Sequence, residues 1–285
     1  MKYYIVDAFT DKPFGGNTAG VVRIEPQNDF PANETMRLIA AEFRYSETAF
    51  VKAETDGCFT TRYFTPTGEV PLCGHATIAT FGVLFKKGDL HEGQICLNHT
   101  LAGDLKVIAG QDIMMQMAEP KLIATLSYAD QSRLLSIMGI SEKACLPIQI
   151  VSTGLPDIML PVANGKALHD LHPDMKALSK ISEEMQVVGV HAFALNSDGF
   201  TAHVRNFAPR YGIDEEAATG TSNAALTYYL FHNSIIKAPT QCTFLQGEAM
   251  QRPSIITTAL SFNGLQYDIQ VGGQCCIVAE GDLMI

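Results

Sequence analysis

Hydrophobic positions in this chain fall into short alternating runs, interrupted by two longer runs that follow another rhythm. Tyr3 to Val6, Ala19 to Ile24, Tyr45 to Val51 and Gly57 to Phe64 read as strands, the last two as a hairpin. Gln94 to Asn98, Leu105 to Ala109 and Ile113 to Met117 continue the series. Glu34 to Phe43 spaces Met36, Ile39, Ala40 and Phe43 along one face of a helix. Ala76 to Phe85 is apolar nearly all the way round, with only Thr77 and Thr80 as polar breaks, and so predicts a buried helix. Several short strands and one buried helix suggest a curved, mostly antiparallel sheet or barrel wrapped on that helix.

The second half repeats the order. Arg62-x-Phe64-x-Pro66 returns as Arg205-x-Phe207-x-Pro209 at an offset of 143, and Gly74, Leu84 and Phe85 answer to Gly220, Leu230 and Phe231 at an offset of 146. A second apolar helix, Ala224 to Phe231, follows the second turn. A period near half the chain length predicts a duplicated α+β architecture. The domains are expected at 1–118, with a central helix at about 75–86, and 119–285, with one at about 220–232; the C-terminal tail is a candidate to return to the first domain. Around the second helix, a helix carrying Leu126, Leu134, Leu135 and Met138 and another near Met175 to Ile181 are expected. Strands are expected at Ile148 to Ser152, Ile158 to Val162, Val187 to Leu195, Thr201 to Phe207, Cys242 to Gln246, Ser254 to Ala259, Gln266 to Val271 and Cys275 to Ala279. No low-complexity linker intervenes, so a ligand cleft between close-packed domains is expected.

At 285 residues, 47% hydrophobic and 18% charged, the composition is that of a globular protein, and two domains of this size can each bury a core. A formal charge of −10 without a basic run argues against nucleic acid as a partner. The seven cysteines form no C-x-x-C pair, which points to reduced thiols and a cytoplasmic setting. Asp7 and Asp11 interrupt any apolar N-terminal run, so no signal peptide is expected, and Ile78 to Phe85 is too short to span a bilayer. Gly15-Gly16-Asn17 lacks the spacing of a dinucleotide fingerprint, and no His pair stands at i, i+4, so neither cofactor nor metal is expected.

Candidate chemistry gathers at the two helix starts, whose first-turn N–H groups suit a carboxylate. His75 stands at the first, beside Gly74, as a hydrogen-bonding or proton-carrying group or a structural histidine. Cys73 is either a thiolate base or an inert buried thiol. Glu47, ahead of Ala49-Phe50-Val51, is either an acid–base group with a carboxyl pKa raised by partial burial or an edge-strand glutamate facing water. At the second start, Glu216 and Gly220 lie close to Thr221 and Ser222, which serve a ligand or cap the helix.

These stretches resemble the phenazine-biosynthesis isomerase-like (PhzF-like) family, relatives of diaminopimelate epimerase. The match runs through DAFTDKPFGGNTAGVV at 7–22, SETAFV at 46–51, RYFTPTGEVPLCGHATIAT at 62–80, STGLPD at 152–157, RNFAPRYGIDEEAATGTS at 205–222, QGEAMQRPS at 246–254 and VGG at 271–273. The resemblance implies a diaminopimelate-epimerase-like fold of two pseudo-repeated domains and a cofactor-independent isomerase acting on a small acidic metabolite, with a homodimer as the candidate assembly. It implies that Glu47 is the general acid–base group, with His75 and Glu216 beside it, and that Asn17, Gly74, Gly220 and Thr221 bind substrate. The chain departs from the family's usual E-D-P-A-T-G-S by Glu216 for Asp, Ala217 for Pro and Thr221 for Ser. The natural substrate therefore need not be the phenazine precursor. Related epimerases pair two thiols; here Thr219 stands at the second position, which argues against a two-thiol racemase. The alternative function is a catalytically silent small-molecule-binding or interaction protein on the same fold.

Overall fold

The computed structural model describes residues 1–140, 145–195, 198–262 and 264–285. Within them the chain is a mixed α/β structure with eighteen strands and six α-helices, dividing into one unit of residues 1–116 with 272–285 and a second of residues 117–271. Among the described residues no helix is long and apolar enough to cross a membrane.

The first unit contains β1 (Lys2–Ala8), β2 (Asn17–Ile24), α1 (Asn33–Phe43), β3 (Thr48–Thr55), β4 (Cys58–Phe64), β5 (Glu69–Val70), α2 (Gly74–Lys86), β6 (Ile95–Thr100), β7 (Gly103–Ile108), β8 (Ile113–Gln116) and the C-terminal strand Cys275–Asp282. β1 is antiparallel to β2 and to the C-terminal strand, β2 is parallel to β3, and β3 and β4 form the expected hairpin. β4 then runs antiparallel to β5 and parallel to β6, which continues antiparallel through β7 to β8.

Helix α2 is buried at ten of thirteen residues because β1, β2, β3, β8 and the C-terminal strand pack on it. The hydroxyls of Thr77 and Thr80 donate back to the carbonyls of Cys73 and Ala76, each at 2.7 Å, so neither enters the core unsatisfied. Gly82 lets the C-terminal strand approach: a Cβ there would lie 2.1 Å from Cys275 Sγ. Helix α1 is amphipathic, and its Met36, Ile39 and Ala40 pack with Val22, Ile24, Phe50 and Phe64.

The second unit contains β9 (Lys121–Thr125), α3 (Tyr128–Met138), β10 (Gln149–Ser152), β11 (Pro156–Pro161), α4 (Gly165–His169), α5 (Met175–Glu184), β12 (Val190–Leu195), β13 (Ala202–Ala208), β14 (Ile213–Glu216), α6 (Gly220–His232), β15 (Thr240–Gln246), β16 (Ser254–Phe262) and β17 (Tyr267–Gly273), making the C-terminal strand β18. β10 is antiparallel to β9 and β11, β11 is parallel to β12, and β12 is antiparallel to β13. β13 runs antiparallel to β14 and parallel to β15, which is antiparallel to β16. Helix α6, buried at ten of thirteen residues, packs on β10, β11 and β16. Leu134, Met138, Leu178 and Ile181 of α3 and α5 form a core with Ile158, Leu160, Val190 and Ala192.

The R-x-F pattern has a physical reason in both units. Residues i and i+2 of a strand share a face, so Arg62 lies over the Phe64 ring at 5.3 Å and Arg205 over Phe207 at 4.9 Å. Each guanidinium also makes a two-pronged bond to a glutamate of the next short strand, Arg62 to Glu69 (2.7 and 2.6 Å) and Arg205 to Glu215 (both 2.8 Å).

Several expected boundaries move. The strand read from Tyr45 begins at Thr48, leaving Glu47 in the bend before it, and the one read from Val187 begins at Val190 because the Val187 N–H closes the end of α5 on the Ser182 carbonyl. The helix read from Leu126 begins at Tyr128, where Ser127 Oγ accepts from the Asp130 N–H. The short elements β5, β9, β14 and α4 were not expected; each is held by its neighbours and is too brief to show a period.

Candidate active site

At the start of α2, Cys73 is the N-cap in extended conformation and gives no side-chain cap, so the first turn keeps its donor character. His75 follows in the first turn and is 5% exposed. Its Nε2 lies 3.3 Å from Glu47 Oε2 and 3.4 Å from Ser46 Oγ. Burial pushes the imidazole pKa below its ordinary value, and the neighbouring Glu47 charge offsets this only in part. His75 is therefore neutral near pH 7, and the Glu47 contact joins a carboxylate to a neutral ring.

Glu47 comes from a different element. Its carbonyl accepts the Gly20 N–H at 3.2 Å, which ties the residue to β2 just where β3 joins in parallel. The side chain is 20% exposed, so it is neither an edge-strand group in water nor sealed in the core. Asn17 opens β2, and the loop before it is shaped by buried Asp7, which accepts from Thr18 Oγ1 at 2.5 Å and the Phe14 N–H at 2.8 Å. Gly16 in that loop has φ +62°, and a Cβ would sit 2.0 Å from the Ala8 carbonyl oxygen, so the turn requires glycine.

Donor atoms of Glu47, Cys73 and His75 lie within 4.8 Å of one another: the expected placing of His75 beside Glu47 holds, while a three-donor cluster was not expected. Cys73 Sγ is 3.4 Å from Nδ1 and 3.9 Å from Nε2 of His75. Lying near both nitrogens, the sulfur sits against the ring and not along the lone pair of either. An ion shared by His75 Nε2 and Glu47 would need the thiol to turn before all three could serve as ligands.

At the start of α6 the structure gathers Glu216, Thr219, Gly220 and Thr221. Thr219 is the N-cap, again extended and without a side-chain cap bond. Its hydroxyl donates to Glu216 Oε2 at 2.9 Å. The capping role considered for Thr221 and Ser222 does not hold, since Thr219 is the N-cap and both lie inside the first turn; Ser222 Oγ instead donates to Asp157 Oδ2 at 2.5 Å, and the Thr221 backbone carbonyl accepts from Thr153 Oγ1 at 3.0 Å. The STGLPD stretch thus fastens the first turn of α6. Asp157 is fully buried, which raises its carboxyl to about 6 despite the Ser222 hydroxyl and the Gly189 N–H, both of which favour its charged form.

Sequence reasoning missed the polar groups behind this turn. Asn206 Nδ2 donates to Ser222 Oγ at 3.2 Å and to His191 Nδ1 at 3.2 Å, and His191 Nε2 faces Asn223 Oδ1 at 3.4 Å. Burial holds His191 at about 3, so it is neutral and carries its proton on Nε2. Their only signal in the sequence was polar residues at inward strand and helix positions. Gln246 stood within the quoted QGEAMQRPS stretch without an assigned role.

The family model described as Phenazine biosynthesis-like protein (PhzC-PhzF) matches residues 6–281. An uncharacterized isomerase of Clostridium acetobutylicum is 32% identical, with 99% of this chain and 97% of that protein aligned. A trans-2,3-dihydro-3-hydroxyanthranilate isomerase of Pseudomonas fluorescens is also 32% identical, over 100% of this chain and 99% of its own. Among solved structures, the Bacillus anthracis phenazine biosynthesis protein of the PhzF family superposes with a TM-score of 0.88 at 26% identity, covering 100% of this chain and 99% of that one.

Proposed function

The chain belongs to the phenazine biosynthesis-like family, a family of isomerases, and we propose that it moves a proton between carbons of a small carboxylic-acid metabolite without a cofactor. Glu47 takes the proton and returns it. The observation that carries this reading is the part-shielded Glu47 carboxylate 3.3 Å from a buried imidazole that stays neutral. A neutral His75 can donate or accept one hydrogen bond as charge shifts, without placing a permanent cation beside the base. The uncapped first turn of α2 at Gly74 offers N–H groups to the substrate carboxylate. Asn17, Glu216, Gly220 and Thr221 are assigned to the substrate's polar atoms, and the departures at Glu216, Ala217 and Thr221 bear on which substrate is taken.

The compound named for the Pseudomonas fluorescens relative, trans-2,3-dihydro-3-hydroxyanthranilate, is the first to assay. In deuterated water the enzyme should leave deuterium on the carbon that receives the proton. Glu47→Gln should bind the compound and turn it over at least about a hundredfold more slowly. Turnover of Glu47→Gln at the wild-type rate would falsify the assignment; binding with neither isomerised product nor deuterium uptake by the wild type would favour the catalytically silent alternative.

We also infer that the two units are one duplicated module. Support comes from the order of pairings within each: antiparallel, parallel, antiparallel, then a short antiparallel strand and a parallel neighbour around a buried thirteen-residue helix. A crystal structure in which residues 62–85 and 205–231 fail to superpose would remove this inference.

A further inference from the structure

The side chains behind the start of α6 form a hydrogen-bond chain in which each group's direction is set by the one before it. Gln246, the last residue of β15, has no solvent exposure. Its Oε1 accepts from the Thr219 N–H at 3.2 Å and from Asn223 Nδ2 at 2.9 Å. A backbone N–H can only donate, so this bond fixes which way the amide faces. The other end, Nε2, then donates to the Glu216 carbonyl at 2.8 Å and to Thr219 Oγ1 at 3.1 Å. With Thr219 Oγ1 accepting from Gln246, its single hydrogen is directed to Glu216 Oε2, 2.9 Å away. All four side-chain bonds of Gln246 thus serve the 216–223 turn, and two of them bear on Glu216, one at its backbone carbonyl and one, through Thr219, at its carboxylate.

We infer that Gln246 is the positioning residue for Glu216, acting through the hydroxyl of Thr219. Resting on the assignment of Glu216 to substrate, this gives the QGE stretch a specific task. Gln246 turns Thr219 into an obligatory donor and holds both the backbone and the side chain of Glu216 in one setting.

The test follows the Glu216 carboxylate by carbon NMR in protein labelled with 13C-glutamate, the signal being identified by its loss in Glu216→Gln. A hydrogen bond to the charged form lowers a carboxyl pKa, so Thr219→Val should raise the measured value by about one pH unit. Gln246→Met, close to glutamine in shape, should raise it by at least half as much, and the double variant by no more than the larger single change. Thr219→Ser should return it to the wild-type value. A wild-type value in Gln246→Met, no rise in Thr219→Val, or a simple sum in the double variant overturns the inference. Should Gln246→Met fail to fold, the Gln246 side-chain amide protons decide: in Thr219→Val one should shift and exchange faster, and unchanged amide signals overturn the proposal. With trans-2,3-dihydro-3-hydroxyanthranilate as probe, Gln246→Met should lose about tenfold in turnover or in KM. Absence of any wild-type turnover counts against this compound as the substrate and leaves the NMR result standing.

Discussion

Helices α2 and α6 begin in nearly the same backbone, with Cys73 at φ −141°, ψ 119° and Thr219 at φ −130°, ψ 102°. In both, the side chain four residues on bonds back to the N-cap carbonyl, Thr77 Oγ1 at 2.7 Å and Asn223 Nδ2 at 2.9 Å. The side chains around these frames differ in kind. At α2 a part-exposed carboxylate from another element meets a neutral imidazole and a thiol. At α6 the carboxylate belongs to the same turn and is tied into a buried amide and hydroxyl network. A group that must gain and lose a proton works best where its hydrogen bonds are not already committed, whereas a group that must hold a fixed position benefits from commitment. One backbone frame thus carries two kinds of polar surroundings.

The sharpest way to break this contrast is kinetic. If the first helix start works through its carboxylate, Glu47→Gln should cost about a hundredfold or more in turnover, while Cys73→Ala stays within about threefold. Comparable losses in a folded Cys73→Ala variant would restore a thiol mechanism. The middles of the helices differ as well. Gly82 corresponds at the offset of 146 to Tyr228, which packs edge-on against Tyr267 with ring centroids 5.1 Å apart. Gly82→Ala should destabilise the protein by about 1–3 kcal/mol, because the new methyl meets Cys275. An unchanged urea midpoint would mean that β18 yields freely.

Acid sharpens the comparison on the α6 side. His191, ordinarily near 6.5 but held at about 3, charges first in the unfolded chain, so stability falls as pH drops from 6.5 toward 3. Asp157, raised from 3.8 to about 6, has the opposite sign: its contribution is full below 3.8 and is lost as pH rises through 6. Asp157→Asn removes that opposing slope. The loss of stability between pH 6 and pH 4 should then steepen, by up to about 2 kcal/mol, in urea unfolding followed at both pH values. An unaltered slope would show that Asp157 does not take up a proton in the folded state. The smallest expected effect lies beside Glu47. Thr48 Oγ1 is buried without a hydrogen-bond partner among the described residues, so Thr48→Val should stabilise by about 1 kcal/mol. A destabilised variant would reveal a partner such as a buried water.

Much of the fold could be read from the chain because its signals are local and periodic. The all-round apolarity of 76–85 and 224–231 follows from burial on every side, and the spacing of Met36, Ile39 and Ala40 follows from burial on one. The recurrence of Arg62-x-Phe64 as Arg205-x-Phe207 reflects a strand face that stacks each guanidinium on a ring. Elements such as β5 and α4 could not be read, since two to five residues carry no period and are held by their neighbours.

For the candidate site, the sequence by itself determined which groups stand at the two helix starts, because Cys73-Gly74-His75 and Thr219-Gly220-Thr221 are contiguous. Only the tertiary structure decided what those groups meet. Glu47 reaches His75 across 28 residues through the parallel pairing of β2 and β3, and Gln246 reaches Thr219 across 27 through the end of β15. It also decided that Ser222 bonds to Asp157, 65 residues away, and does not cap its own helix. Contacts of that range depend on how strands are ordered side by side, and no local pattern of residue types records that order.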